Sequence, residues 1–350
     1  MRQIKGLLFL VFLSVGTEVF PVFSQQLPQN ETADFSLIVM SDTQRYLGKG
    51  TKLEPNSRDS LSNPILLSQT KWIVENLKKE KVAFVSHAGD LVDINNTAQW
   101  ELASRYMAVL HGKVPYAICP GNHDMTAAGN SSFFQTYFPA EKFRGFDWYG
   151  GSFEGKGSPT GNSLNNANSY QLFSAGGVKF VILHLECNAP DSVLQWADSV
   201  LQTHAGRFAI VTTHMYLGPR ERPKTSDGFF TAPKGVMQWT KCHGEAGNTA
   251  EAMWEKCFRK HRNLQIIFSG DQSRSNAMYL AQKGDHGNTV HAILNDYNAT
   301  NHGAIRIYRF DVKKQEVEVI SYDTINNRVV AHTDIVKSPE AHNFRFAVKF

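Results

Sequence analysis

The chain has 350 residues, 42% hydrophobic and 19% charged, with a formal net charge of +4. This is a globular balance with length for a sizeable core, and it excludes collagenous and low-complexity classes. No basic run is interleaved with aromatics, so no specific nucleic-acid binding is indicated.

In chain order, MRQIK is a short basic segment followed by GLLFLVFLSVG, an apolar run too short to span a bilayer comfortably. Val22-Phe23-Ser24 offers a cleavage site before Gln25. Residues 1–24 therefore read as a signal peptide and 25–34 as a leader, with a secreted or periplasmic destination and no membrane span after signal removal. FSLIVMSD (35–42) reads as a buried strand with a polar end. Asn63-Pro64 starts a helix with Leu66, Thr70, Ile73 and Leu77 on one face. VAFVSHAGD (82–90) is a second strand, Asn96 with Gln99 caps a helix through Leu110, and VPYAICPGNHD (114–124) is a third strand. Strand and helix alternate, which argues for an α/β fold with parallel pairing.

The Gly-rich stretch 145–161 is a surface loop, followed by a hairpin over 169–186 and a helix over 191–203. RFAIVTTH (207–214) is a strand ending in His214, 215–248 is a polar insertion, and a helix is expected near 249–262. LQIIFSGD (264–271) is one more strand. From Ala277 short alternating segments such as AIRIYRFDV and EVEVISYDT read as a strand meander. The expectation is one domain over 35–335 with two sheets and a tail over 336–350. Helices would flank the early sheet, and the late sheet would pair with the hairpin. His184 and Glu186 read as ordinary sheet residues and His87 as a buried, hydrogen-bonded one.

Of the four cysteines, Cys119 lies in an apolar strand and reads as a small core residue. In an exported chain Cys242 and Cys257 are the expected disulfide pair. With His243 and His261 they could mimic a zinc site, but C-H-x13-C-x3-H fits no standard finger. Asn30, Asn95, Asn130 and Asn298 each start an N-x-S/T sequon, which matters only in a eukaryotic host.

Five strand ends carry polar residues: Asp42-Thr43-Gln44, Gly89-Asp90 with Asp93, Gly121-Asn122-His123-Asp124, His214, and Gly270-Asp271. Ligands of open α/β sheets bind beyond the carboxyl ends of strands, and glycine before the polar residue lets the backbone turn sharply. In this order the blocks resemble the calcineurin-like metallophosphoesterase superfamily, whose pattern runs D-x-H, G-D-x-x-D, G-N-H-D/E, a lone H, then G-H-x-H. Here it reads D-T-Q, G-D-L-V-D, G-N-H-D, T-H and G-D-Q-S, over roughly residues 35–325.

The resemblance implies a four-layer α-β-β-α sandwich with two mixed sheets. It also implies two divalent metal ions (Mn, Fe, Zn or Mg) that hold a bridging hydroxide and clamp a phosphoryl group. By resemblance Asp90 bridges the metals, Asp42 binds the first, and Asn122 and His214 bind the second. His123 serves as electrophile or general acid, Asp124 orients its imidazole, and Asp93 braces the loop. Gln44 and Asp271 stand where the family has histidine ligands, and Ser273 stands where the last histidine is expected. The donor set is thereby shifted toward oxygen, which favours Mn or Mg.

Arg274 and Tyr216 are candidate substrate contacts. The implied activity is hydrolysis of a phosphomonoester or phosphodiester in a phosphorylated small-molecule or macromolecular substrate. The altered blocks leave open a catalytically weak or inactive relative that binds a phosphorylated ligand.

Overall fold

The computed structural model describes residues 34–155, 163–218, 237–238, 240–271, 277–300 and 303–350. Residues 1–33 lie outside it, and with them the expected signal peptide and leader. Gln272, Ser273 and Arg274 also lie outside the described residues.

The strand over 35–42 forms because hydrophobic residues fill both of its faces. In β1 (Phe35–Met40), Leu37 and Val39 point to one side and Ile38 and Met40 to the other, and all four are buried. A strand buried on both faces belongs in the middle of a layered sheet. β1 pairs in parallel with β2 (Val82–His87), which pairs in parallel with β3 (Tyr116–Ile118). On its other side β1 pairs antiparallel with β11 (Ala304–Asp311), and the sheet continues through β12 (Glu316–Asp323) to β13 (Arg328–Val329) and β14 (Phe344–Ala347).

The second sheet runs β4 (Tyr149–Ser152), β5 (Ser169–Ala175), β6 (Val178–His184), β7 (Phe208–Thr212), β8 (Leu264–Ser269), β10 (Thr289–Asn295), β9 (Ala277–Lys283). Its four central strands, β6, β7, β8 and β10, are mutually parallel.

Three apolar clusters define four layers. Leu37, Val39, Phe84, Phe180, Ile210 and Phe268 fill the space between the sheets. Helices α1 (Pro64–Asn76) and α2 (Thr97–Met107) cover the outer face of the first sheet through Leu66, Ile73, Trp100 and Leu102. Helices α4 (Asp191–Thr203) and α5 (Ala250–Lys256) cover the second through Leu194, Leu201, Met253 and Trp254; the short α3 (Ser132–Tyr137) packs beside α2. This is the expected four-layer α-β-β-α sandwich with two mixed sheets.

Capping follows the sequence. The Asn63 side chain accepts from Leu66 N and that of Asn96 from Gln99 N. Gln99 turns its own oxygen to Asp93 N and Ile94 N, so it ties the G-D-L-V-D loop to α2 instead of closing a capping box.

Three expectations are corrected. The late meander joins the first sheet through β11 on β1, because Phe310 and Tyr308 share the inter-sheet core with Phe35; only β9 and β10 extend the sheet that holds the hairpin. Helices accordingly flank both sheets. Residues 336–350 are not a simple tail, since they include α6 (Pro339–His342) and β14, whose Phe346 pairs with Val317. The Cys242–Cys257 disulfide is also absent. All four cysteines are free and buried, and Cys257 faces His261.

Candidate metal centre

Strand register brings the polar blocks to one edge. Met40 pairs with His87, Thr212 with Phe268, and Ser269 with Leu294, so the residues just past β1, β2, β7, β8 and β10 emerge together. Asp42, Asp90 and Asp271 each take the left-handed backbone conformation, with φ of 52°, 55° and 62°. Non-glycine residues reach this region at a cost, and Asp is among the few that tolerate it. Three such turns, each directly after a strand, aim three carboxylates at one point. The glycines make room: a Cβ on Gly121 would strike Asp90, and one on Gly270 would strike the Asp42 carboxylate.

Ligand atoms of Asp42, Asp90 and His214 lie within 4.8 Å of one another, and all three residues are buried. His214 Nδ1 is 2.7 Å from Ala88 O, so it donates to that carbonyl and leaves Nε2 facing the cluster. That Nε2 is 3.2 Å from Asp90 Oδ1 and 3.6 Å from Asp271 Oδ1. Burial disfavours a charged imidazole here, but Asp90 and Asp271 outweigh it and hold the His214 pKa well above the usual range. Burial likewise opposes ionisation of Asp90, yet His214 and His123 hold its carboxyl below the ordinary value.

The Asn122 amide reaches the cluster: its nitrogen donates to Asp271 Oδ1 at 2.7 Å, 3.3 Å from His214 Nε2, and its oxygen accepts from Lys241 Nζ at 3.0 Å. Without an ion the amide is satisfied in this orientation, and a cation at the cluster would draw its oxygen round to face Asp271 and His214. Among the described residues, Asp271 Oδ2 and Gln44 Oε1 are buried acceptors with no hydrogen-bond donor. A divalent cation fits this set: carboxylate, amide and imidazole donors converge, and buried oxygens lack protons.

Asp42 accepts from Ser41 Oγ and from Asp271 N at 3.2 and 3.3 Å. Gln44 turns its nitrogen, not its oxygen, to Asp90 Oδ2 at 2.8 Å. Burial, then Asp296, pushes the Asp42 pKa well above the carboxylate range.

Asp296 was not singled out in the sequence. It follows β10, buried, beside Asp271 across the β8–β10 register, and burial pushes its pKa up to about 7. The run AILND carried the same signal, an apolar strand closing on Asp, but it falls outside every block of the family pattern. Lys241, in the polar insertion, was missed as well.

His123 and its expected partner are rearranged. Asp124 is wholly buried and accepts from Leu91 N, Val92 N and Gly121 N at 2.9 to 3.0 Å, so it braces two loops. His123 turns its Nδ1 to Asp93, 3.1 Å from the carbonyl and 3.5 Å from Oδ1, and Lys52 holds the same carboxylate at 2.8 Å. The roles expected for Asp124 and Asp93 are thus exchanged in geometry. Hydrogen bonding to Asp93 raises the His123 pKa against a smaller effect of burial.

Tyr216 is corrected too. It is fully buried in the core beneath α5, its ring tilted against Phe258, and does not face the strand-end cluster. His87 is buried, 3.0 Å from Thr43 Oγ1. Glu186, read as an ordinary sheet residue, is fully buried, with Oε2 3.6 Å from His243 Nε2 of the insertion, and burial raises its pKa to about 7.

The strand-end carboxylates, one imidazole and one amide at the edge of an α-β-β-α sandwich define a candidate cation centre. The family model of calcineurin-like phosphoesterases matches residues 35–275, and the chain belongs to that family.

The chain is 26% identical over 298 residues to YvnB, an uncharacterised protein of Bacillus subtilis, covering 82% of this chain and 20% of that one. It is 30% identical over 99 residues to purple acid phosphatase 23 of Arabidopsis thaliana, covering 28% of this chain and 18% of that one. The chain thus spans about a fifth of the length of these curated relatives. Among solved structures, purple acid phosphatase PPD1 of yellow lupin shares the fold with a TM-score of 0.53 at 14% identity, over 93% of this chain and 56% of that chain.

Proposed function

We propose that this chain is an exported, metal-dependent phosphoesterase that hydrolyses a phosphomonoester or phosphodiester with two divalent cations at the strand-end cluster. The observation that carries the reading is the convergence of Asp42, Asp90 and His214 ligand atoms within 4.8 Å of one another beyond the strand ends. Asp90, Asn122, His214 and Asp271 would hold one cation, and Asp42 and Asp90, with Asp296 beside them, the other. When bound, the cations supply an activated water and neutralise phosphoryl charge. The oxygen-rich donor set favours manganese or magnesium.

The protein's own contribution centres on His123. Its Nδ1–H donates to Asp93, and that bond raises the imidazole pKa, so the protonated ring carries a second proton on Nε2 for the leaving oxygen. Lys241, reaching the Asn122 amide from the insertion, places a positive charge beside the cluster, where a phosphoryl group would sit. Export rests on the basic and apolar start of the sequence; no helix among the described residues is long and apolar enough to cross a membrane.

A second reading, a weak or inactive relative that binds a phosphorylated ligand, draws on one contact. Gln44 nitrogen occupies Asp90 Oδ2, which the Asp42-side cation would need. Elemental analysis of the manganese-loaded protein, with turnover of generic phosphomono- and diesters, separates the two. Two equivalents with turnover support the hydrolase. One equivalent, with no turnover under any of Mn, Fe or Zn, supports the binder. No bound metal overturns both.

A further inference from the structure

A second cluster lies at the opposite end of the second sheet, where β8 begins. Asp198 comes from α4, and Cys257 and His261 flank the tight turn Phe258–Lys260 after α5. His261 Nε2 is 3.0 Å from Asp198 Oδ1 and 3.8 Å from Cys257 Sγ, and the three ligand atoms all lie within 4.8 Å of one another. We propose that Asp198, Cys257 and His261 form a zinc-binding site distinct from the strand-end centre.

The spacing is that of ligands around one ion. Zinc bonds of about 2.3 Å to sulfur and about 2.0–2.1 Å to nitrogen and oxygen, at tetrahedral angles, place S and N about 3.6 Å apart and N and O about 3.3 Å apart. The donors suit a borderline cation: one thiolate, one imidazole, one carboxylate. The strand-end centre has no sulfur.

The surroundings orient these groups. Asp198 Oδ2 accepts from Gln202 Nε2 at 2.7 Å, one turn along α4, which leaves Oδ1 facing His261. The His261 carbonyl accepts from Asn288 Nδ2 at 3.0 Å, fixing the backbone that carries the imidazole. Cys257 and His261 are buried while the Asp198 side chain is 31% exposed, so one side of the site opens to solvent for entry and for a water as fourth ligand. Burial, followed by Asp198, keeps the Cys257 thiol protonated at neutral pH, so binding releases its proton to solvent. Bound zinc would pin α4 to the start of β8, a structural role that does not depend on the phosphoesterase reading.

Cobalt(II) titration of the metal-stripped full chain tests this directly, because a thiolate–cobalt charge-transfer band in the near ultraviolet reports sulfur ligation alone. Wild type should show the band, and zinc should abolish it. C257S should lack it, the C187S/C242S double variant should retain it, and D198N, altered at a partly exposed position, should bind cobalt at least about tenfold more weakly. Absence of the band in wild type, its persistence in C257S, or unchanged affinity in D198N would overturn the site.

Discussion

The two halves of the strand-end cluster are built differently. On the His214 side, Asp90, Asn122, His214 and Asp271 converge, with the imidazole locked by Ala88 O and the Asn122 amide against Asp271. On the Asp42 side, the carboxylate is already held by Ser41 and Asp271 N, Gln44 offers Asp90 a donor instead of a ligand, and the added oxygen comes from Asp296. The first half resembles a finished coordination shell. The second is an all-oxygen patch whose buried carboxylates repel one another, so a cation there must displace protons as it binds. The comparison teaches that replacing imidazoles weakens the two sites unequally, even though they share Asp90.

Asp90 is the place to break the comparison outright. D90N should empty both halves and lower turnover to background, at least about 10⁴-fold if the cations supply several kcal/mol. Elemental analysis alongside the assay checks it, and two retained equivalents would remove Asp90 from the bridge. H123N should keep both equivalents while turnover falls about 10²–10³-fold, as expected for loss of a general acid.

Neighbouring acids should then separate by readout. D93N should cost about tenfold and move the alkaline limb of the rate profile to lower pH, because the hydrogen bond to the Asp93 carboxylate is the main cause that raises the His123 pKa. D124N should leave that limb in place and lower the melting temperature, since it sets an amide against backbone N–H donors. If D124N moved the limb and D93N did not, the exchange of roles would be refuted. Q44H tests the weaker half alone: an imidazole should tighten cation binding on the Asp42 side, seen by calorimetry, and leave the His214 side unchanged.

Much of this was legible in the sequence. Alternating strands and helices fixed the layers, and polar blocks after apolar runs marked Asp42, Asp90, Asn122, His214 and Asp271 because strand ends on one edge share one fate. Three things were not legible. Asp124 and Asp93 both follow glycine-led turns, and only the turn geometry decides which meets an imidazole and which meets backbone amides. Tyr216 lies only two residues after His214, but past the end of β7 the chain leaves strand geometry and its ring packs in the core against Phe258. Asp296 lies on a strand that joins the edge by pairing across β8, a long-range contact that no local spacing reports.

The smallest expected effect concerns Glu186, which marks where the cluster gives way to the insertion. Its pKa is raised from 4.5 to about 7 by burial, and His243 opposite is lowered to about 4, so at neutral pH the imidazole brings no compensating charge. A carboxyl that holds its proton more tightly when folded contributes stability that is fully present below about pH 4.5 and is lost as pH rises through about 7. For Glu186 that contribution is about 3 kcal/mol at most. Asp124 and Asp296 act with the same sign, so the wild-type slope is shared among several groups. E186Q should remove one share: in chelator-treated protein the difference in unfolding free energy from wild type should shift in favour of the variant between pH 5 and pH 8. A difference that stays constant across that range would mean that Glu186 ionises without cost, its charge already answered by His243.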